Sequence, residues 1–193
     1  MLDRVLERSG LTLGQEYERE EVIEGEDGNV IRPDVIIHLP EGKHIVIDSK
    51  VSLVAYEHFV SGKTDHERET HMTEHLASIR SHVRLLSEKK YQNSPNLNTP
   101  DFVLMFIPIE ASFSVAVQAD EDLFSYAWEK KIVIVSPTTL LATLRTISSI
   151  WKQESQTKNA REIARLSGTL YDKLAGFVTD FSKIKENIDK AGS

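Results

Sequence analysis

Cysteine is absent from the chain, and so are long apolar runs. Without a thiol the protein can form neither disulfides nor thiolate zinc sites, and it has no cysteine nucleophile. No apolar run approaches the ~18 residues of a membrane helix, and the N-terminus does not resemble a signal peptide. The sequence therefore predicts a cytoplasmic protein whose present segment makes no membrane contact.

The composition is otherwise ordinary, but the charged residues are distributed unevenly along the chain. Of 193 residues, 40% are hydrophobic and 27% charged, enough for one domain with a sizeable core. Residues 1–60 hold 13 acidic and 6 basic residues, whereas 9 basic and 6 acidic residues follow from position 138. An acidic pole beside a mildly basic arm suits a metal site next to a phosphate-contacting surface. An unevenly charged, solvated surface is the equal alternative.

Hydrophobic periodicity predicts an α/β domain with a mixed central sheet flanked by long helices. Residues 30–39 and 44–51 have the pattern of two strands joined by a tight turn, which makes a β-hairpin. The other expected elements are a helix at 2–8 that begins upstream of Met1, a strand around 17–23, a helix over most of 53–90, strands at 102–109 and 132–135, and a short helix at 120–130.

A long C-terminal helix is predicted after Ser136 and Pro137, with the proline in its first turn. We expect a single domain over residues 1–193, made of an α/β core at 1–137 and a helical arm at 138–190. Leucine, phenylalanine and isoleucine recur along the arm at interleaved spacings of three and four, as in a coiled-coil seam. This pattern predicts either a homo-oligomer through the arm or packing of the arm on the helix at 53–90.

The segment 31–50, IRPDVIIHLPEGKHIVIDSK, places charged groups at one end of an apolar hairpin. Asp34 begins the first strand, whereas Asp48 and Lys50 end the second and, being two residues apart, share a face. Charged groups among valines and isoleucines are costly unless they are paired or bound to metal. Two carboxylates and an amine suit phosphodiester hydrolysis assisted by Mg²⁺ or Mn²⁺, because hard oxygens bind these ions.

Three further sets of polar residues are candidates. Glu110 follows the predicted strand at 102–109, so it is either another metal ligand or an ordinary strand-end charge. His75, Ser78 and His82 form a polar stripe on the helix at 53–90 that could face DNA. On the arm, six residues are of types that contact phosphates, with a solvated helix face as the alternative: Arg145, Lys152, Gln156, Lys158, Asn159 and Arg161.

Pro33-Asp34 followed by Asp48-Ser49-Lys50 resembles the PD-(D/E)xK nuclease signature. Longer passages are similar to the RmuC family of bacterial DNA-recombination proteins, and together they cover most of the chain. They include RPDVIIHLPEGKHIVIDSKVSLVAY at 32–56, KKYQNSPNLNTPDFVLMFIPIEASF at 89–113 and KIVIVSPTTLLATLRTISSIW at 131–151. The resemblance implies a restriction-endonuclease-like fold and a role in limiting DNA rearrangement.

The resemblance also implies roles for the hairpin residues. Asp34 and Asp48 would be metal ligands, the Ser49 carbonyl a further ligand, and Lys50 the catalytic amine. In full-length members a membrane anchor and a coiled coil precede this domain, and neither is expected in this chain. The chain is thus predicted to be a metal-dependent deoxyribonuclease domain that binds DNA. The alternatives are a catalytically inactive DNA-binding or scaffolding module and a coiled-coil assembly platform.

Overall fold

A mixed five-stranded sheet forms the centre of the protein in the computed structural model. The structure describes residues 1–24, 30–49, 51–91, 98 and 102–191, and the side chains of 23, 24 and 185–191 are left aside. The strands are β1 (Tyr17–Arg19), β4 (Val35–Leu39), β5 (Lys43–Asp48), β6 (Val103–Phe106) and β7 (Ile132–Val135), in that spatial order. The first three are antiparallel to one another, whereas β5, β6 and β7 are parallel. The predicted mixed sheet is confirmed.

The hairpin that carries the predicted site is formed by β4 and β5. Its turn is a 3₁₀ segment, Pro40–Gly42, in which Glu41 and Gly42 both have positive φ, 65° and 69°. The first strand is shorter than predicted, because β3 (Val30–Ile31) instead pairs with β2 (Ile23–Glu24) in a separate two-stranded sheet. Pro33 separates β3 from β4, since proline has no N–H to donate to a strand ladder.

Six helices accompany the strands among the described residues: α1 (Leu2–Ser9), α2 (Val54–Ser61), α3 (Asp65–Glu88), α4 (Glu110–Ala119), α5 (Leu123–Glu129) and α6 (Pro137–Ala191). Thr64 begins α3 with a capping box, in which its hydroxyl accepts from the Glu67 N–H and Glu67 accepts from the Thr64 N–H. The long C-terminal helix is confirmed. Helix α4 was not predicted, because its serines and valines have modest helix propensity.

The sheet is covered on both faces. On one face Ile36, Val46 and Met105 belong to a buried cluster that includes Ile79 and Val83 of α3. Strand alternation turns the intervening residues to the opposite face. There Ile37, Ile47 and Phe106 are buried, as are Leu6 of α1 and Leu140 of α6, and Ser148 of α6 donates a hydrogen bond to the Gly10 carbonyl.

Packing divides the chain into two compact units, Met1–Ile150 and Trp151–Ser193. The first contains the sheet, α1 to α5 and the beginning of α6, and the second contains the remainder of α6. The predicted division at residue 137 follows secondary structure rather than packing, and the single-domain assignment stays a prediction. No described helix is both long and apolar enough to span a bilayer.

Candidate functional site

Asp34 lies immediately before β4 and is held by the end of β5. Its Oδ2 accepts hydrogen bonds from the Ser49 backbone N–H at 2.7 Å and from the Ser49 hydroxyl at 2.8 Å. Its backbone carbonyl accepts from the N–H of Glu20, a residue with a positive φ of 50°. Asp34 is half-buried, and these contacts from two neighbouring segments fix its position.

Asp34 and Asp48 come from adjacent antiparallel strands at the same end of the sheet. Val35 pairs with Ile47 in the ladder, so continuation of this register by one residue sets Asp34 against Asp48. The two carboxylates nevertheless have different partners. Asp34 is bound by Ser49, whereas Asp48 faces the side of the sheet that α3 covers.

Asp48 is completely buried, at 0% exposure, within a polar cluster built by the end of α3. The Lys89 ammonium lies 2.5 Å from its Oδ2, and the Tyr91 hydroxyl donates to the same oxygen at 3.3 Å. His82 Nε2 lies 3.4 Å from the other oxygen, Oδ1. Buried charge is strongly unfavourable without such compensation, so these partners allow Asp48 to remain inside the fold.

The pKa of Tyr91 is affected by both carboxylates. Burial is the largest cause that raises the pKa of Tyr91, and the negative charge of Asp48 and its hydrogen bond raise that pKa further. The charge of Asp34 raises the pKa of Tyr91 as well. The phenol therefore stays protonated and acts as a hydrogen-bond donor toward Asp48.

A cavity of about 320 Å³ opens beside Asp34. Asp34 and Ser49 line it together with Arg19 of β1 and Asp3 of α1, while Phe106 contributes to its apolar side. The Arg19 guanidinium lies 2.5 Å from the Asp3 carboxylate, and both side chains are about half exposed. The Asp34 end of the sheet is thus accessible to a ligand and carries one positive side chain at its wall.

The predicted metal site is only partly described. Lys50, the expected catalytic amine, lies outside the described residues. Asp34 and Asp48 provide hard oxygens, and two carboxylates suit Mg²⁺, which keeps several of its waters and seldom needs a complete protein cage. Within the described part of the chain, no three His, Asp or Glu side chains are grouped as metal ligands. The ligand roles of Asp34, Asp48 and the Ser49 carbonyl stay predictions.

Glu110 has a different setting from the one predicted, because it begins α4 rather than ending a strand. Its carboxylate accepts hydrogen bonds from the Ser136 hydroxyl at 2.7 Å and from the Thr138 N–H at 3.0 Å. Desolvation tends to raise the pKa of Glu110, but these hydrogen bonds outweigh it and lower the pKa. Glu110 therefore caps the first turn of α6, and its metal role stays a prediction without support from these contacts.

The predicted polar stripe on α3 is only partly accessible to solvent, because Ser78 and His82 are half-buried and His75 is not exposed at all. His75 is fully buried, and its Nε2 lies 3.1 Å from the Ser112 hydroxyl and 3.2 Å from the Ser112 carbonyl. Burial is the main cause that lowers the pKa of His75. The idea that His75 contacts DNA is therefore wrong, since its position one helical turn from the core residue Ile79 turns it inward.

All six predicted phosphate-contacting residues of the arm are exposed. Arg145 belongs to the first unit, and its Nε lies 3.5 Å from the Arg8 carbonyl. The other five belong to the second unit, where Lys158 lies 3.5 Å from Glu154. Exposure leaves these groups available to phosphates, and their DNA-binding role stays a prediction.

Lys89 and Tyr91 are the residues of the site that sequence reasoning missed. A signal for Lys89 was available, because His82 and Lys89 are seven residues apart and therefore lie on one face of a helix. That face adjoins the core positions Val83 and Leu86. Polar groups at helical spacing beside core positions predict a buried polar partner, although the spacing alone does not identify Asp48.

Known proteins resemble this chain over nearly its whole length. The chain matches the model of the RmuC family over residues 1–193. It is 48% identical over 191 residues to the DNA recombination protein RmuC of Escherichia coli (strain K12), covering 99% of this chain and 40% of that protein. A DNA recombination protein RmuC homolog of Pseudomonas aeruginosa is 48% identical over 194 residues, 99% of this chain and 43% of the homolog.

The match extends across genera but covers less than half of each relative. The RmuC homolog of Vibrio cholerae is 47% identical over 191 residues, which are 99% of this chain and 37% of that protein. The chain thus spans about two fifths of the length of the curated relatives it matches. No solved structure matches it, so the restriction-endonuclease-like topology stays a prediction.

Proposed function

The chain belongs to the RmuC family, and from that premise we propose that it is a DNA-processing domain that hydrolyses phosphodiester bonds with Mg²⁺ or Mn²⁺. Relatives named DNA recombination proteins support a role in DNA recombination. The chemistry is proposed from Asp34 and Asp48. Their place at one end of adjacent strands, where Asp34 lines an open cavity and Asp48 is buried beside it in the ladder, is the observation that carries the proposal.

The proposed roles follow from the chemistry of each side chain. Asp34 and Asp48 would hold the ion, and the Ser49 carbonyl would add a neutral oxygen. A bound Mg²⁺ would stabilise charge on the phosphate and lower the pKa of a water molecule. Ser49 orients Asp34 through two hydrogen bonds, and Tyr91 orients Asp48 as a neutral donor. Lys50 would supply the positive charge near the reacting phosphate.

The test is metal-dependent cleavage of labelled single-stranded and duplex DNA, with and without EDTA. Asp48→Asn should remove cleavage and Mg²⁺ binding together, because an amide is a much weaker ligand for a hard cation than a carboxylate. Asp172→Asn, the same substitution at an exposed position on α6, is the matched control and should behave as the wild type. Undiminished cleavage by the Asp48→Asn protein would overturn the proposal.

A DNA-binding or scaffolding module without chemistry is the second candidate. The observation that favours it is the complete burial of Asp48 against Lys89 and Tyr91, an arrangement that can be purely structural. This candidate predicts DNA binding with no metal-dependent cleavage. Fluorescence anisotropy at two salt concentrations would measure the binding, since log affinity falls by about 0.9 per neutralised phosphate on duplex DNA for each decade of salt.

The arm provides a matched test of DNA contact. Combined substitution of Lys152, Lys158 and Arg161 by alanine should flatten the salt dependence of binding, because each lysine or arginine that neutralises a phosphate contributes to the slope. All three side chains are exposed, so the fold should be retained. An unchanged salt slope would exclude these residues from the DNA-binding surface.

We also propose that a second copy of the chain covers the apolar seam of α6. The seam consists of apolar side chains that recur in a seven-residue repeat, at spacings of four and three residues from Leu170 onward. Each is between 55% and 65% exposed: Ile163, Leu170, Leu174, Phe177, Phe181 and Ile184. An identical helix presents the same seam with the same repeat, so two copies can interdigitate along its whole length. Exposed apolar surface of this extent marks an interaction site.

A further inference from the structure

We propose that Lys89 is the resident counter-ion of Asp48 and that a divalent metal ion must displace it, so that Lys89 sets the metal affinity of the site. The inference rests on the proposed function, since it takes Asp48 as a metal ligand. It adds a residue that the PD-(D/E)xK pattern does not contain. Lys89 is here a positioning residue, because it acts through Asp48.

The contact itself is the first observation. Lys89 Nζ donates a short, charge-assisted hydrogen bond to Asp48 Oδ2, at 2.5 Å. Asp48 has no exposed surface, and the Lys89 ammonium lies closer to it than His82 does. The neutral Tyr91 hydroxyl at 3.3 Å and His82 at 3.4 Å are also in contact with Asp48.

Lys89 is also the partner of Asp48 that can leave. Its side chain is 35% exposed, whereas that of His82 is 16% exposed and Tyr91 is fully buried. It follows the last residue of α3, and its flexible four-carbon stem can carry the ammonium into solvent. The aromatic ring of Tyr91 and the imidazole of His82 have no comparable freedom, so they would remain around Asp48.

An ammonium and a metal ion compete for the same oxygen. Mg²⁺ binds carboxylate oxygens at about 2.0–2.1 Å, and a lysine ammonium that stays hydrogen-bonded to that oxygen would repel it. Metal binding is therefore coupled to the release of Lys89 from Oδ2. Removal of the positive charge should make the metal-free protein less stable and its metal binding tighter, since the metal then has no competitor.

Calorimetric titration with Mg²⁺ and Mn²⁺ tests this coupling in the full chain. Lys89→Gln removes the charge but keeps a hydrogen-bond donor, and we expect it to bind metal at least about ten-fold more tightly than the wild type. Its melting temperature without metal should fall, and the rise in melting temperature on adding Mg²⁺ should be larger. Lys90→Gln is the matched control one residue along, and Lys89→Arg should restore affinity close to that of the wild type.

A second measurement uses the wild-type protein and does not depend on the folding of a variant. The Lys89 Nζ resonance, observed by NMR in ¹⁵N-lysine-labelled protein, should shift and its protons should exchange faster as Mg²⁺ is added. The Lys90 resonance is the internal control. A Lys89 resonance that does not change at saturating Mg²⁺ would overturn the inference.

The outcomes separate this inference from the proposed function. Equal metal affinity in the wild type and Lys89→Gln overturns the role of Lys89 and leaves the metal site standing. Loss of binding in Lys89→Gln, as in Asp48→Asn, also overturns it, because Lys89 would then support the ligand rather than compete. Absence of binding in every protein overturns the metal site itself. Binding by Lys89→Gln alone supports the inference most strongly.

Discussion

Phe106 and Phe177 are the same amino acid in the two units of the chain, and their surroundings are opposite. Phe106 lies on β6 in the first unit and has 0% exposure, whereas Phe177 lies on α6 in the second unit and is 65% exposed. Most apolar strand residues of the central sheet in the first unit are enclosed by helices on both faces. The apolar residues of the second unit lie along a single helix and are open to solvent.

The two units differ in the interactions that stabilise them. A sheet covered on both faces buries enough apolar surface to fold cooperatively. A single helix gains only its backbone hydrogen bonds and weak contacts along one face, and most helical stability in proteins comes from packing. The first unit therefore contains its own core, whereas the apolar seam of the second unit is exposed, as the proposed pairing with a second copy requires.

The largest effect should come from the core of the first unit. Phe106→Ala should cost about 3–5 kcal/mol of unfolding free energy, because it removes a buried aromatic ring and leaves a cavity. Phe177→Ala should change the same quantity by no more than about 0.5 kcal/mol in dilute solution. Urea denaturation monitored by circular dichroism measures both. Similar costs for the two variants would contradict the comparison.

The next effect concerns the seam of α6. Leu174→Asp should weaken self-association by roughly 2 kcal/mol or more per dimer, because each of two symmetric copies places a carboxylate in the interface. Sedimentation velocity over a range of concentrations would show the loss of dimer. Thr179→Asp adds the same charge on the opposite side of the helix and should leave association unchanged. A wild-type chain that remains monomeric at every concentration would contradict the proposed partner.

Glu110 should contribute a smaller effect that depends on pH. Glu110→Gln removes the charge that caps α6 and should cost about 1 kcal/mol at neutral pH. The folded pKa of Glu110 is lowered from 4.5, so this contribution is present above that value and is lost as pH falls through the folded pKa. The unfolding midpoints of the two proteins should therefore converge in acid. A difference that persists at low pH would indicate a role other than charge.

The smallest expected changes in stability come from substituting one glycine in each unit. Gly168 lies within α6 with open space around its Cβ position, so Gly168→Ala should stabilise that helix by about 0.5–1 kcal/mol. Gly10 has a φ of 84°, and an added Cβ would lie 3.3 Å from the Ser148 hydroxyl. Gly10→Ala should therefore destabilise the first unit. Hydrogen exchange resolved by segment measures both, and opposite signs are the expected result.

The sequence predicted local structure best where a pattern was strong. The apolar runs at Val35–Leu39 and Lys43–Asp48 on either side of Pro40 and Gly42 predicted the hairpin, which is confirmed, and the structure supplies its register, with Val35 opposite Ile47. Helix α4 was missed because its sequence has neither a strong helical period nor a side-chain cap. Glu110 was consequently placed at the end of a strand, and its hydrogen bonds to Ser136 and Thr138 could not be anticipated.

The sequence by itself determined most of the strands and helices, the family and the presence of Asp34 and Asp48 at one end of a hairpin. These depend on residues close together in the chain, whose geometry is fixed by strand and turn periodicity. Only the tertiary structure decided that Asp48 meets Lys89, a residue 41 positions away, because that contact requires α3 to pack on one particular face of the sheet. Strand alternation predicts which residues share a face of the sheet, but it does not predict which helix covers that face.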